Sequence, residues 1–290
     1  MLTRVIETNL GPVEFTEAGT GDPVLYFHGT GVTGDAMVPV ESRMIDDGFR
    51  LILPNRPGYG QTPLSPHESV ADCGNVAAAL LDSLGIAKVG VMGSSGGAAF
   101  AASFAINQPD RTKSLVLLCP QLHRWDHKRW LPASSRWTLP LLRRRFLRKL
   151  LLKLYQIQLP RMSAKQFLKM EAGDRYSDVA DDPASNALCA LTLAEMAQGT
   201  KHGGFENDFI IFTDESIIGA NCLLQTPTLL IHDALDPMAP VDHVDWFVSK
   251  VPHCQRVSIR AAGHLIWTGP DADVMHQTRV RFLREHVIAG

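Results

Sequence analysis

Short apolar runs, each closed by turn residues and most followed by a helical stretch, constrain this chain more than any other feature. PVLYFHG (23–29) and FRLILPN (49–55) are apolar almost without interruption. A strand with one wet face alternates apolar and polar residues, whereas a continuous run belongs to a strand covered on both sides. KVGVMGS (88–94), SLVLLCP (114–120), TPTLLIHD (226–233) and QRVSIRAAG (255–263) read as further strands. TRVIET and PVEFTEAG, separated by Leu10-Gly11-Pro12, read as an opening hairpin and bring the count to eight. Helical patterns fill 69–84, 96–108, 238–250 and 272–288. Alternating strands and helices imply an α/β fold, an eight-stranded mostly parallel sheet with helices on both faces, mixed at the hairpin edge.

The alternation stops between Pro120 and Thr226, where about a hundred residues are helical in composition. A stretch of that length is not a structureless loop in a compact domain. It is expected to be a helical cap or lid, 121–225, set on a core made of 1–120 and 226–290. Its charge is polarised. Residues 124–169 hold thirteen Lys/Arg and one acid, Asp126, while residues 171–215 hold ten acids against Arg175 and Lys201.

Composition excludes several classes of function. The chain has 290 residues, 45% hydrophobic and 20% charged, with a formal net charge of −2, which offers nothing to attract nucleic acid. No apolar run approaches the roughly 18–20 residues of a membrane span. MLTRVIETNLG lacks the apolar segment of a secretory signal. Cys73, Cys119, Cys189, Cys222 and Cys254 are scattered without a C-x-x-C, as in a reduced, cytoplasmic protein with no zinc site.

The turn after the fifth strand, Gly93-Ser94-Ser95-Gly96-Gly97, admits three readings: phosphate cradle, nucleophile, or close packing alone. A dinucleotide site needs G-x-G-x-x-G, but Val91 stands two before Gly93, and the next strand ends Leu118-Cys119-Pro120 without a ribose-binding acid. No G-K-[ST] follows. A nucleophile elbow instead needs small residues two before and two after the serine, so that strand and helix can pass. Gly93 and Gly97 fill those places around Ser95, whereas Met92 stands two before Ser94. A serine hydroxyl also needs a base oriented by an acid. Asp233 and Asp236 follow one strand and Gly263-His264 follows the last.

With these residues the chain resembles the α/β-hydrolase family over nearly its whole length. The resemblance implies Ser95 as nucleophile, His264 as base and Asp236, in Asp236-Pro237-Met238-Ala239-Pro240, as the acid, with Asp233 left as a loop residue or turn cap. From LYFHGTG it implies an oxyanion hole formed by the backbone N–H groups of Thr30 and Gly96. PNRPGYGQT (54–62) is similar to the family's R-G-x-G-x-S turn, with a Pro after Arg56 and Thr62 in place of Ser, and is expected to brace the oxyanion loop. His28 and His232, at strand ends, are expected to be hydrogen-bonded structural histidines, and Cys119 a buried small hydrophobe.

Such a constellation performs acyl transfer through an acyl-enzyme, with no cofactor or metal. The expected enzyme is carboxylesterase-like, cleaving a small hydrophobic ester or lactone, with a homodimer left open as its assembly. The same scaffold also carries C–C hydrolases, cofactor-free lyases, small-molecule receptors and proline aminopeptidases. The last usually have Trp after the nucleophile, where this chain has Gly96. Trp125, Trp130, Trp137, Leu139, Leu141 and Leu142 suggest an apolar roof, with Trp137 and Leu142 as substrate-binding candidates. In RRRFLRKLLLKLY (143–155), Phe146, Leu147, Leu150, Leu151 and Leu154 fall at helical spacing and are expected to pack on the core. The basic run 143–149 would then be solvated or paired with the acidic half, the alternative being an anionic-surface or anionic-substrate site.

Overall fold

The computed structural model describes residues 1–123, 144–199, 202–214 and 224–287. Eight strands form one sheet in the order β1-β2-β4-β3-β5-β6-β7-β8: β1 Leu2–Thr8, β2 Gly11–Ala18, β3 Asp22–Phe27, β4 Phe49–Pro54, β5 Val89–Ser94, β6 Thr112–Leu118, β7 Thr228–Asp233 and β8 Gln255–Ile259. The hairpin β1–β2 is antiparallel, as is β2 with β4, and every other pairing is parallel. The expected mixed edge is therefore present.

The central strands are buried on both faces, and alternate side chains feed two cores. On one face Leu25, Phe27, Val91, Leu115 and Leu117 pack against helices Val70–Ser83 and Gly97–Asn107, with Phe247 from helix Val241–Lys250. On the other, Val24, Tyr26, Met92, Val116 and Leu118 meet Met275, Phe282 and Leu283 of helix Ala272–Val287. Two short helices not expected from the sequence, Met37–Val40 and Ser42–Asp46, join this second face through Met37 and Met44. Helix Val70–Ser83 begins at a reciprocal Ser69–Asp72 capping box, which occupies otherwise orphaned N–H groups.

In chain order these helices are α1 (Met37–Val40), α2 (Ser42–Asp46), α3 (Val70–Ser83) and α4 (Gly97–Asn107). Between β6 and β7 the described residues then form α5 (Arg145–Gln158), α6 (Ala164–Ala172), α7 (Tyr176–Val179), α8 (Pro183–Gly199) and α9 (Gly203–Asp214), and no strand. The last two helices are α10 (Val241–Lys250) and α11 (Ala272–Val287). The inserted helices have their own core of Leu159, Phe167, Leu168, Val179, Cys189 and Leu193, which includes Ala262 and Leu265 from the sheet domain. No helix among the described residues is long and apolar enough to cross a membrane.

One expectation about α5 is overturned. Of the five residues expected to pack on the core, Phe146, Leu150 and Leu154 are 76%, 45% and 48% exposed and face outward, while Leu147 and Leu151 are half-buried. The buried positions of α5 are Arg148 and Leu152, with Tyr155 half-buried beside them and Leu159 buried just past its end. The helix is apolar on two sides, so spacing alone leaves its rotation open. The packed side is fixed by Leu152 and Tyr155 against Phe205 and Tyr59, and by Arg148, 3.8 Å from Glu206 of α9. That ion pair does join the basic and acidic halves. Trp125, Trp130, Trp137, Leu139, Leu141, Leu142 and Arg143 lie outside the described residues.

Candidate active site

Ser95 sits between β5 and α4 with φ +51°, a left-handed conformation that a non-glycine residue adopts only at a cost. The steric requirement on its flanks is explicit. A Cβ on Gly93 would lie 2.6 Å from the Gly97 carbonyl and 2.7 Å from Ala101 Cβ, and one on Gly97 would lie 2.1 Å from the Phe27 carbonyl. Strand and helix pass this closely only because both positions lack side chains. The Ser95 N–H donates to the Leu118 carbonyl (2.9 Å), which ties the turn to β6.

Loops from three strand ends complete the arrangement. His264 Nε2 is 2.8 Å from Ser95 Oγ, and its Nδ1 is 2.7 Å from Asp236 Oδ2. Asp236 Oδ1 accepts the N–H groups of Met238 and Ala239 (2.7 and 2.9 Å), so the carboxylate is oriented by its own loop. Burial opposes a charge on the imidazole, but the charge and hydrogen bond of Asp236, with Glu171 behind them, outweigh it and raise the His264 pKa. Asp233 does not touch His264. Its buried carboxylate pairs with Arg175 at 3.0 Å and accepts the N–H groups of Leu235 and Ala261. It caps its turn, and it also fastens the segment after α6 to the end of β7.

Thr30 and Gly96 line the same cavity as Ser95. The Thr30 loop is held by PNRPGYGQT, as the family likeness leads one to expect. Arg56 donates to the carbonyls of His28 and Gly29 (3.1 and 3.2 Å), and Tyr59 Oη accepts the Gly31 N–H (3.1 Å). Thr62 Oγ1 accepts the Glu14 N–H (3.0 Å). His28 is buried, with Nε2 accepting the Arg56 N–H and Nδ1 beside the Gly29 carbonyl; burial and then Arg56 hold its pKa well below the usual range. His232 is buried beside Arg256, and burial likewise lowers its pKa. Burial pushes the Cys119 thiol well up, so little reactive thiolate forms there.

Three residues of the inserted helices escaped the sequence reading. Asp208 of α9 is buried and takes four donors: both Arg56 Nη atoms (2.7 Å each), Tyr59 Oη (2.8 Å) and Thr30 Oγ1 (2.8 Å). Arg175 holds Asp233. Glu171, at the end of α6, has burial raising its carboxyl to about 7. An acid within the apolar run FENDFIIF was the available signal for Asp208; Glu171 and Arg175 had none.

The cavity has a volume of about 280 Å³. Its walls are largely apolar: Val32 and Met37 from the sheet domain, Phe167, Met170, Leu188 and Phe205 from the inserted helices. Glu171 and Glu195 also line it, and no Lys or Arg does among the described residues. A serine, an imidazole and a carboxylate in one hydrogen-bonded chain, opening on an apolar cavity, can activate a hydroxyl for attack on a carbonyl. Among the described residues there is no cluster fit to hold a metal ion.

Sheet order, elbow and inserted helices together define an α/β hydrolase. Residues 22–267 match the model of the α/β hydrolase fold family, and this chain belongs to that family. It is 24% identical over 279 residues to the uncharacterized hydrolase YcgS of Bacillus subtilis, covering 90% of this chain and 91% of that one. An α/β hydrolase fold protein from Nakamurella multipartita is 25% identical, with a TM-score of 0.75 over 98% of this chain and 99% of the other. A 2-hydroxy-6-oxo-2,4-heptadienoate hydrolase of Pseudomonas putida is 36% identical over 122 residues, 41% of this chain and 42% of that relative.

Proposed function

We propose that this protein is a serine hydrolase of carboxylic esters or lactones with a hydrophobic acyl or aromatic group. The observation that carries the reading is the Ser95–His264–Asp236 hydrogen-bonded chain facing the apolar cavity. Ser95 Oγ attacks the carbonyl carbon while His264 Nε2 takes its proton. Asp236 holds the ring in the tautomer with a proton on Nδ1 and stabilises the imidazolium. The carbonyl oxygen becomes an oxyanion stabilised by the backbone N–H groups of Thr30 and Gly96. Collapse breaks the carbon–oxygen bond, and the imidazolium returns its proton to the departing alcohol, or to the ring-opened hydroxyl of a lactone. Water then cleaves the acyl-enzyme with His264 again as base.

A second reading has a specific observation behind it. The Pseudomonas relative is named for cleaving a dienoate, a substrate class that bears a carboxylate, which supports C–C bond hydrolysis on the same scaffold. Against it stand Glu171 and Glu195 in a cavity wall without Lys or Arg among the described residues, a poor complement for an anion. The two readings separate in one assay. Turnover of p-nitrophenyl butyrate, with a fluorophosphonate label on Ser95, is expected. Turnover of a 2-hydroxy-6-oxo-dienoate with no ester hydrolysis would reverse the choice.

A further inference from the structure

Five carboxylates are buried in the described residues: Glu41, Glu171, Asp208, Asp233 and Asp236. Four have partners. Glu41 meets Arg279 and the Trp267 indole, Asp208 meets Arg56, Asp233 meets Arg175, and Asp236 meets His264. Glu171 is the exception: it is 6% exposed, and its carboxyl has neither hydrogen bond nor ion pair among the described residues. Stripping a carboxyl of water without a partner is costly, so proteins seldom do it away from a binding site. Here the carboxyl opens on the cavity that Ser95 and His264 also line.

Its position is held by the backbone. The His264 N–H donates to the Glu171 carbonyl (2.9 Å). Gly263, with φ +61°, lies so near that a Cβ would meet that carbonyl oxygen at 2.6 Å and Ala172 Cα at 2.8 Å. The end of α6 is thus docked on the turn that carries the imidazole, which fixes the backbone of Glu171 beside the cavity. Glu195 of α8 is a second carboxylate in the wall. The field inside the cavity favours a ligand that supplies a proton donor and disfavours one that supplies another carboxylate.

We propose that Glu171 is a substrate-recognition residue, its carboxyl receiving an N–H or O–H donor that the substrate carries near the scissile carbonyl. This rests on the reading of Ser95 as nucleophile, since that reading fixes where the carbonyl lies. The substrate class narrows accordingly to hydrophobic esters or lactones with a hydroxyl or amine on the part that enters the cavity. A donor matched to Glu171 removes the cost of the unpaired group, whereas an apolar substrate of the same shape leaves it unpaired.

The test separates recognition from catalysis by measuring binding without turnover. Ser95→Ala protein is titrated with phenylpropylamine, phenylpropanol and phenylpropionate, which share one skeleton and differ in the end group. Amine and alcohol are expected to bind at least about tenfold more tightly than the carboxylate. Adding Glu171→Gln should erase most of that preference for the amine. Thermal denaturation of Glu171→Gln and Glu171→Leu in the Ser95→Ala background should give a Tm equal to or above that of the parent, because a largely buried, unpaired acid has been removed. The proposal is overturned by equal binding of the three probes, by a preference that survives Glu171→Gln, or by a lowered Tm that marks a structural partner. Failure of the serine reading shows elsewhere: Ser95 would escape the fluorophosphonate while the probes still discriminated.

Discussion

The sheet domain and the inserted helices place their functional groups in different ways. In the sheet domain, Ser95, Asp236 and His264 sit on loops at the ends of β5, β7 and β8, so backbone geometry brings them together. In the inserted helices, the groups that matter are side chains whose partners lie far off in sequence: Asp208 on Arg56, Arg175 on Asp233, Arg148 on Glu206. The first arrangement follows from local rules of strand, turn and helix. The second depends on how one helix is rotated against another, and a shift of one residue rewrites it. The loops bearing the reacting groups are where the two regions are joined.

The sharpest test of that contrast is Ser95→Ala against Ser94→Ala. Loss of Ser95 should lower ester kcat by roughly 10⁴-fold or more and end fluorophosphonate labelling, whereas the Ser94 change stays within about tenfold. Asp236→Asn should cost about 10⁴-fold in kcat, because the ring is then held in the wrong tautomer. Asp233→Asn should act on stability, lowering unfolding free energy by about 1–3 kcal/mol in a urea titration with a small change in kcat. Equal kinetic losses would erase the distinction between the two aspartates.

Across the junction, Asp208→Asn leaves Arg56 buried with its charge unmatched. It should destabilise the protein by about 3–5 kcal/mol in chemical denaturation. The pH profile gives a smaller, graded effect. In the proposed mechanism His264 acts as a base only when neutral, and Asp236 with Glu171 raises its pKa, so the acid limb of kcat/KM should lie above 6.5. Activity should fall about tenfold per pH unit below that limb, and the limb should move to lower pH in Glu171→Gln. A limb below 6.5 would contradict the charge arrangement. Smallest of all, Phe146→Ser and Leu150→Ser on the outer side of α5 should change unfolding free energy by no more than about 0.5 kcal/mol. A loss of about 2 kcal/mol or more would mean that this side is packed after all.

The fold is legible in the sequence where a rule ties residue type to backbone. Buried runs such as Val89–Ser94 carry their strand pattern in each residue, and Gly93 and Gly97 are dictated by the close pass of strand and helix. The likeness of Asp236 and His264 to a known pattern led to residues that lie within hydrogen-bond distance of one another. The rotation of α5 escaped because Phe146, Leu150 and Leu154 form a more apolar stripe than Arg148, Leu152 and Tyr155, the side that packs. Glu171 escaped for a different reason. Its surroundings include residues 119, 155 and 264, remote from it in sequence, and no local pattern encodes them.

Asp208 carries a consequence for how a substrate gets in. Four donors from the sheet domain converge on it, one of them the side chain of Thr30, which lines the same cavity as Ser95. Displacing α9 from the sheet domain would break all four of these bonds at once. Entry and exit by small local displacements would leave the Arg56 tether intact. Product departure, gated by such movements, would become the slow step for bulky esters, visible as a burst of p-nitrophenol that Asp208→Asn shortens.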